Sequence, residues 1–398
     1  MAGVNTMSFQ DAAAILNNIR KQVTGETSAL APLTTADFVS VATTTLQAGY
    51  DPVLNAITQM VSRTIFSIRP YNRKFAGIKM DQEQWGSIVR KLAIADKDFD
   101  DDVRFDLVDG QSIDMYKVNK PNVLQTNFYG QNVFEKNYTI FKDQLDNAFS
   151  GPSEFGRFMS MVVQNISDMI EQAHENIARM TIGNFVGGKL YAEDNITGVS
   201  GGVIHLLQEY NAATGQTLTQ QQLKAPANFP NFVKWMYARV STISSLMSER
   251  SIKYQINVTG KVVSRHTPKE LQKIYLYAPL LKEMEARVLA DTYHDSFLNY
   301  GDVEAVNYWQ NIDHPTDLNV AVSVLKPDGT ILSEDEAGFY SDIVGVMFDR
   351  DALGYTTVNE WSATTPLNAK GGYWNTFHHF TERWYNDFTE KGVVLCLD

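Results

Sequence analysis

The chain has 398 residues, of which 44% are apolar and 20% charged, with a formal net charge of −12. That length buries a sizeable core and allows roughly two or three domains. No run of about 18 apolar residues exists to span a membrane as a helix, and the acidic balance argues against a protein that coats nucleic acid through clustered Lys and Arg. The charged fraction lies below the ~25% usual for soluble domains; Asn, Gln, Thr and Ser make up the difference, which suits a surface of many weak contacts. The single cysteine, Cys396, excludes an internal disulfide framework and fits assembly in a reducing cytosol. The first residues lack the basic-then-apolar order of a signal peptide.

The first seventy residues read as short helices joined by polar linkers. Ser8 and Asp11 resemble a capping box ahead of Phe9, Ala12, Leu16 and Ile19. A second helix is expected near Thr35. A third should open with Asp51 as N-cap and Pro52 at the first helical position, with Val53, Ile57, Met60, Val61 and Ile65 at helical spacing. Helices this short need packing partners, supplied either by neighbouring subunits or by the rest of the same chain. From 71 to 140 the helical period disappears. Basic residues Arg73, Lys74, Lys79, Arg90 and Lys91 surround Trp85, and an acidic run follows at Asp96, Asp98, Asp100, Asp101 and Asp102. Alternation over 103–108 and the Asp109-Gly110 pair mark a turn. We read a long β-hairpin excursion with opposite charge on its two parts, which is either a solvated loop or an arm that docks on a neighbour's acidic patch.

Residues 153–185 give the clearest helix. Ser153 is a good N-cap, and Phe155, Met159, Val162, Ile166, Met169, Ala173, Ile177 and Met180 line one face. Such a helix is ~50 Å long. Its flanks lack a regular Glu/Lys pattern, so it is expected to back a sheet and not to join a coiled coil. Residues 186–229 are polar and glycine-rich and read as a linker or mobile insertion. From Pro230 the pattern is mixed α/β. A helix is expected through Phe232, Trp235, Met236, Ile243 and Met247, and a strand over Ile252–Val258. Thr267-Pro268-Lys269-Glu270 reads as a helix start, Lys273–Ala278 as a strand, and Pro279 as the opening of a helix through Leu281, Met284 and Leu289. Further strands are expected near Val303–Trp309, Leu318–Val324, Ile343–Phe348 and Tyr355–Val358. Two more follow in the aromatic block from Gly371, which ends in an apolar run that ties the chain down in a sheet.

Catalytic and metal signatures are broken or missing. Gly183 to Leu190 brushes against a phosphate-binding loop, but Leu190 replaces the hydroxyl that would hold magnesium, and the glycines follow a helix, where they are expected to terminate it. Asp96, Asp98 and Asp100 begin like a calcium loop, yet Asp101 and Leu107 stand where Gly and Glu are required. The seven histidines form no metal-ligating cluster. Alternation in an aromatic strand should turn one of His378 and His379 inward and the other outward. No cofactor or metal is implied. An enzyme reading, a cytoplasmic hydrolase with its site within 230–350, would rest on Glu285, Arg287, His294 and Asp313, residue types that are more often simply solvated. A tail-tube component would be mostly β, against the long helix.

Several stretches carry a resemblance in order: Pro70-Tyr-Asn-Arg-Lys-Phe with the following Gly-Ile-Lys, Pro121-Asn-Val-Leu-Gln, Asn127-Phe-Tyr, Phe141-Lys-Asp-Gln-Leu, Tyr275–Leu289, and Gly371-Gly-Tyr-Trp-Asn through the closing Gly-Val-Val-Leu-Cys-Leu-Asp. On these the chain resembles the major capsid proteins of tailed bacteriophages, particularly those of short-tailed podoviruses. The resemblance implies an α+β, HK97-like capsid fold. Its parts would be an N-terminal arm (1–70), an extended loop with flanking strands (71–140), a peripheral domain with a spine helix at 153–185 (141–229), an axial domain (230–345), and a return to the peripheral domain (346–398). It implies a virion shell protein, assembled in the host cytoplasm, that forms pentamers and hexamers around double-stranded DNA without sequence-specific binding. Portal and scaffolding proteins would be its partners. The inter-subunit contacts expected on this reading are Arg73, Lys74, Lys79, Arg90 and Lys91 against Asp98, Asp100 and Asp101.

Overall fold

One long helix packs against strands of both large sheets. In the computed structural model, which describes residues 9–25, 34–61, 74–80, 88–97, 107–116, 118, 120–129, 132–196, 202–258, 261–283, 302–322, 324, 326, 328–330 and 337–398, α5 (Pro152–Met159) passes through a single π turn (Ser160–Gln164) into α6 (Asn165–Asn195). Gly151 is the N-cap and Pro152 opens the first turn, where its missing N–H costs nothing. The expected helix over 153–185 is therefore real but too short, because the three glycines read as its end lie inside it. Gly183, Gly187 and Gly188 are buried on the face of α6 that meets β7 (Leu318–Ala321) and Phe388. A Cβ on Gly187 would stand 2.2 Å from Val320, and one on Gly188 would stand 2.3 Å from the Phe388 ring. Each glycine costs about 1 kcal/mol of helix propensity relative to alanine; close approach of strand and ring to the helix backbone outweighs it.

The described residues of the segment expected to be a linker (186–229) are mostly helix with one short strand. After α6 come β4 (Val203–His205), α7 (Leu206–Thr214) and the short α8 (Gln220–Leu223), followed by α9 (Phe229–Ser248). Its polar sequence misleads because these short elements bury only a few anchors each, among them Leu206, Tyr210 and Leu223. β4 is the edge of a mixed five-stranded sheet in the order β4-β12-β9-β5-β6, where β5 is Gln272–Tyr277, β6 Asp302–Val306, β9 Ile343–Asp349 and β12 Gly392–Cys396. β12 alternates across it: Val394 and Cys396 join the core with α6, whereas Val393, Leu395 and Leu397 join the core with α7 and α9. Burial on both faces explains the unbroken apolar run at the end of the sequence. The closing strand thus shares a sheet with β5 and β6, strands that were expected in the inserted domain.

A second, antiparallel sheet, β10-β11-β3, holds β10 (Leu353–Thr364), β11 (Tyr373–Asn386) and β3 (Asn132–Phe141). Strict alternation along β11 puts Trp374, Thr376, His378 and Phe380 inward. His378 is buried and His379 half-buried against Trp361, as a strand requires. Two further pairs complete the topology: β7 with β8 (Ala337–Tyr340), and β1 (Ile88–Ile94) with β2 (Val123–Tyr129).

The helices near the N-terminus, α1 (Phe9–Thr24), α2 (Thr35–Gln47) and α3 (Tyr50–Val61), pack on their own chain. They share one core with α4 (Lys142–Ala148), α5 and Trp374. Of the two partners left open for the arm, the same chain supplies the packing. Thr34 caps α2, its hydroxyl accepting from the Asp37 N–H at 3.2 Å. Asp51 does not cap α3, which starts one residue earlier; its carboxylate instead accepts from Trp374 Nε1 at 2.6 Å, tying these helices to the sheet. Ser8 lies outside the described residues. Two other expectations fail. Residues 252–258 form no strand, only isolated bridges at Ser251–Arg265 and Val258–Lys261, and Thr267–Glu270 leads only into a single 3-10 turn, Lys269–Leu271. Helix does follow Pro279, over 278–283; the remainder of that expected helix lies outside the described residues.

Candidate assembly interface at the root of the hairpin

The hairpin is seated before it leaves the body. Phe75 and Ile78 are buried in the main core, Phe75 against Tyr275 at 5.1 Å between rings with the Arg179 guanidinium 4.8 Å above it. Met80 N donates to Tyr355 O at 2.9 Å, so 79–80 pairs with the start of β10. β1 is paired antiparallel with β2 from Ile88–Tyr129 to Ile94–Val123.

Side chains in a strand point alternately to opposite faces, and this ribbon obeys that rule. Lys91, Ala93, Leu124, Thr126 and Phe128 turn toward the body; Arg90, Leu92, Ile94, Val123, Gln125 and Asn127 turn outward. The neighbouring cations Arg90 and Lys91, expected to dock together on another subunit, therefore go opposite ways. Arg90 is exposed on the outer face. Lys91 donates from Nζ to Asp387 Oδ2 at 2.8 Å and to Glu390 Oε1 at 2.5 Å within its own chain. Lys74 is exposed and Lys79 half-buried beside its bridge to Tyr355. Arg73, Asp98, Asp100 and Asp101 lie outside the described residues, as do Glu285, Arg287 and His294 of the enzyme reading. Asp313 is exposed, and among the described residues no group of His, Cys, Asp and Glu could hold a metal ion. No helix there is long and apolar enough to cross a membrane.

The residues sequence reasoning missed are in the connection from β11 to β12. Asp387-Phe388-Thr389-Glu390-Lys391 looks like a charged surface turn, yet all five residues are buried. Its backbone is pinned on three sides: Asp387 N donates to Ala352 O at 2.6 Å, Ile256 N to Phe388 O at 2.8 Å, and Asp349 N to Lys391 O at 2.9 Å. Phe388 stacks on Phe185 of α6 at 5.5 Å with the rings 2° from parallel. Asp387 Oδ1 accepts from Thr389 N and Oγ1, at 2.9 and 2.6 Å. Arg265 reaches Glu390 Oε1 at 3.3 Å. Lys189 of α6, fully buried, donates to Tyr254 O at 3.1 Å behind the same acids.

Electrostatics divides these groups. Burial opposes the Lys91 ammonium, but Asp387 and Glu390 outweigh it and hold its pKa above the ordinary value. Burial pushes the Glu390 carboxyl up against the pull of Lys91 and Arg265. The two shifts pull in opposite senses for the pair, and the 2.5 Å contact with a second cation beside it is the geometry of a charged pair at neutral pH. Burial also lowers Lys189, to about 7, with only partial compensation from Asp387 and Glu390. On the far side of the ribbon, hydrogen bonds from Ser264 hold the Asp96 carboxyl below its usual range, and Arg250 lies 2.6 Å from it. Asp96, expected at the head of an acidic patch for a neighbour, thus anchors the hairpin to its own chain.

Among the described residues the outer face has no such partners. Leu92, Ile94 and Val123 are exposed there, as are Met115, Tyr116 and Val118 beyond the ribbon, with relative exposures from 44% to 81%. The ribbon is thus held to its own chain on one face and presents apolar side chains on the other.

The capsid structure of Staphylococcus phage Andhra superposes with a TM-score of 0.55 at 11% identity, over 84% of this chain and 87% of that chain. A chain from the structure of the head fiber and inner core protein gp22 of native bacteriophage P68 superposes with a TM-score of 0.54 at 10% identity, over the same shares. Identities this low show the fold alone, which is α+β and HK97-like. No curated protein matches the sequence. The family model described as Phi29-like phage major capsid protein matches residues 16–395, and the chain belongs to that family.

Proposed function

We propose that this major capsid protein tiles with copies of itself into the pentamers and hexamers of an icosahedral or prolate phage head that encloses double-stranded DNA. The observation that carries this reading is the outward face of the hairpin, whose Leu92 and Ile94 are 63% and 65% exposed in the single chain. Burying that face against a neighbouring copy supplies a modest free energy, and a closed shell repeats it at every interface. The net charge of −12 fits a wall that does not adhere to its contents. Within the subunit, the three-stranded sheet with α5 and the start of α6 would form the peripheral part, and the five-stranded sheet with α7 and α9 the axial part, the closing strand β12 included. The helices before residue 62 would serve as an arm folded on its own subunit. Assembly in the host cytoplasm, with portal and scaffolding proteins as partners, belongs to the same reading.

Two double variants, one of apolar residues on the outer face and one of exposed cations on and near it, test it. Leu92→Asp with Ile94→Asp, and separately Arg90→Glu with Lys74→Glu, should leave the thermal melt of the soluble subunit within a few degrees of the parent, because these side chains are exposed. Particle yield by negative-stain microscopy should fall about tenfold or more. Normal particles from both variants would refute the docking role of this face.

A further inference from the structure

We propose that Lys91, Asp387 and Glu390 form a releasable latch that holds the hairpin ribbon against the body of its own subunit. The claim concerns the single chain and stands whether or not the outer face docks on a neighbour.

Among the described residues the ribbon's other attachments are few. Its inner face brings Leu124, with Ala93 and Ala95 beside it, against Val258 and Val263 in a minor cluster. Phe128 meets Tyr385 at 4.9 Å between rings. At Asp96, beyond the end of β1, the backbone N donates to Val262 O, the carboxylate accepts from Ser264 N at 2.6 Å, and the pair with Arg250 is largely in water. Among these contacts only Lys91 enters the buried 387–390 turn.

The latch is releasable because its socket does not need the bolt. Asp387 keeps both Thr389 donors, and Glu390 keeps Arg265, when Lys91 departs. The Lys91 side chain is 27% exposed, so water can take its place. An isolated buried acid would collapse or take up a proton on losing its partner; these acids remain compensated. The socket is also poised to respond to acid. The charged and titratable groups facing it are Lys91 from β1, Arg265 from the loop after α9, Lys189 from α6, Tyr385 from β11, Asp349 and Asp351 at the turn after β9, and Asp387, Glu390 and Lys391 of the turn itself. Burial raises the Glu390 carboxyl above its ordinary 4.5, so it takes a proton before most surface acids do. Its ion pair with Lys91 therefore exists above that raised pKa and is lost as pH falls through it.

Hydrogen exchange of the full chain, as soluble subunit and as particles, tests the latch. Lys91→Met and Glu390→Gln should each speed exchange about tenfold in amides of 88–94 and 123–129 while leaving α6, β9 and β12 unchanged. Wild-type protein needs no variant: its ribbon should lose protection in acid above pH 4.5 while β9 and β12 remain protected, and Glu390→Gln should abolish that step. Unchanged ribbon exchange in both variants, or protection lost equally in β9 and β12, would overturn the proposal, as would an acid step that persists in Glu390→Gln.

Discussion

Gly188→Val should cost the subunit a large share of its stability, and Gly187→Val should come close. The cause is the contact between α6 and what crosses it. The first carbon added at 188 would meet the Phe388 ring at 2.3 and 2.4 Å and Val324 at 3.1 Å; at 187 it would meet Val320 at 2.2 Å and Val322 at 3.0 Å. Phe388 has no room to retreat. Its ring is stacked on Phe185, its carbonyl accepts from Ile256, and Asp387 before it is bonded to Ala352. A valine must therefore evict the ring, which costs about as much as deleting it, roughly 3–5 kcal/mol. That is a fifth or more of a typical total of ~5–15 kcal/mol. The better helix propensity of valine recovers only a few tenths of a kcal/mol of this. Gly183→Ala is the control: its nearest neighbour is the end of Leu318 at 3.2 Å, which can shift, so the loss should stay below about 1 kcal/mol. Denaturant midpoints of the soluble chains would rank the three; equal midpoints for Gly188→Val and Gly183→Ala would show that the helix does not need these glycines.

These glycines also mark where sequence reading stops. Period and propensity locate α6 correctly, because its apolar stripe is strong over four turns and more. They end it too soon, because glycine is a helix breaker until a strand packs on it, and the strand in question lies more than a hundred residues downstream. The strands β5, β9, β11 and β12 were legible for a related reason: alternation or a continuous apolar run is a local signal of how a segment will be buried. A local signal is not always enough: 252–258 alternates and buries Tyr254, Ile256 and Val258 yet makes only isolated bridges, and the helix start at 267–270 gives way after one turn to β5. At the hairpin, composition identified the basic cluster but not its division. Arg90 and Lys91 are equal in sequence; the strand that carries them separates their roles by pointing them to opposite faces. The acids that take Lys91 lie 296 and 299 residues away, in a turn whose polar sequence reads as surface. No local pattern records that a turn will be covered by a helix, a loop and a ribbon from three other parts of the chain.

Lys189→Met should stabilise the subunit at neutral pH, and the gain should fade in alkali. Lys189 is fully buried, and its amine is lowered from 10.5 to about 7. The folded state thus favours the neutral amine. A depressed lysine contributes stability that is complete above the unfolded value and lost as pH falls through the folded one, so the cost of charging it grows from pH ~10.5 down to ~7 and is constant below. A shift of that size corresponds to a few kcal/mol as an upper bound. Methionine matches the length of the buried stem and carries no charge. Little is orphaned by the change: Tyr254 O, which accepts from Lys189, also accepts from Gly392 N at 2.9 Å, and Asp387 and Glu390 retain Lys91 and Arg265. Replacing a poorly compensated buried charge by a well-packed apolar group typically gains ~1–4 kcal/mol, and a rise of about 2 kcal/mol at pH 6–7 is expected here. Melts of parent and variant across pH 6–10 decide it. The parent should gain stability with rising pH and the variant should not, so the two curves converge near pH 10. Parallel curves, or a variant that is less stable at pH 6, would mean that Lys189 stays charged in the fold and that Asp387 and Glu390 hold it as tightly as they hold Lys91.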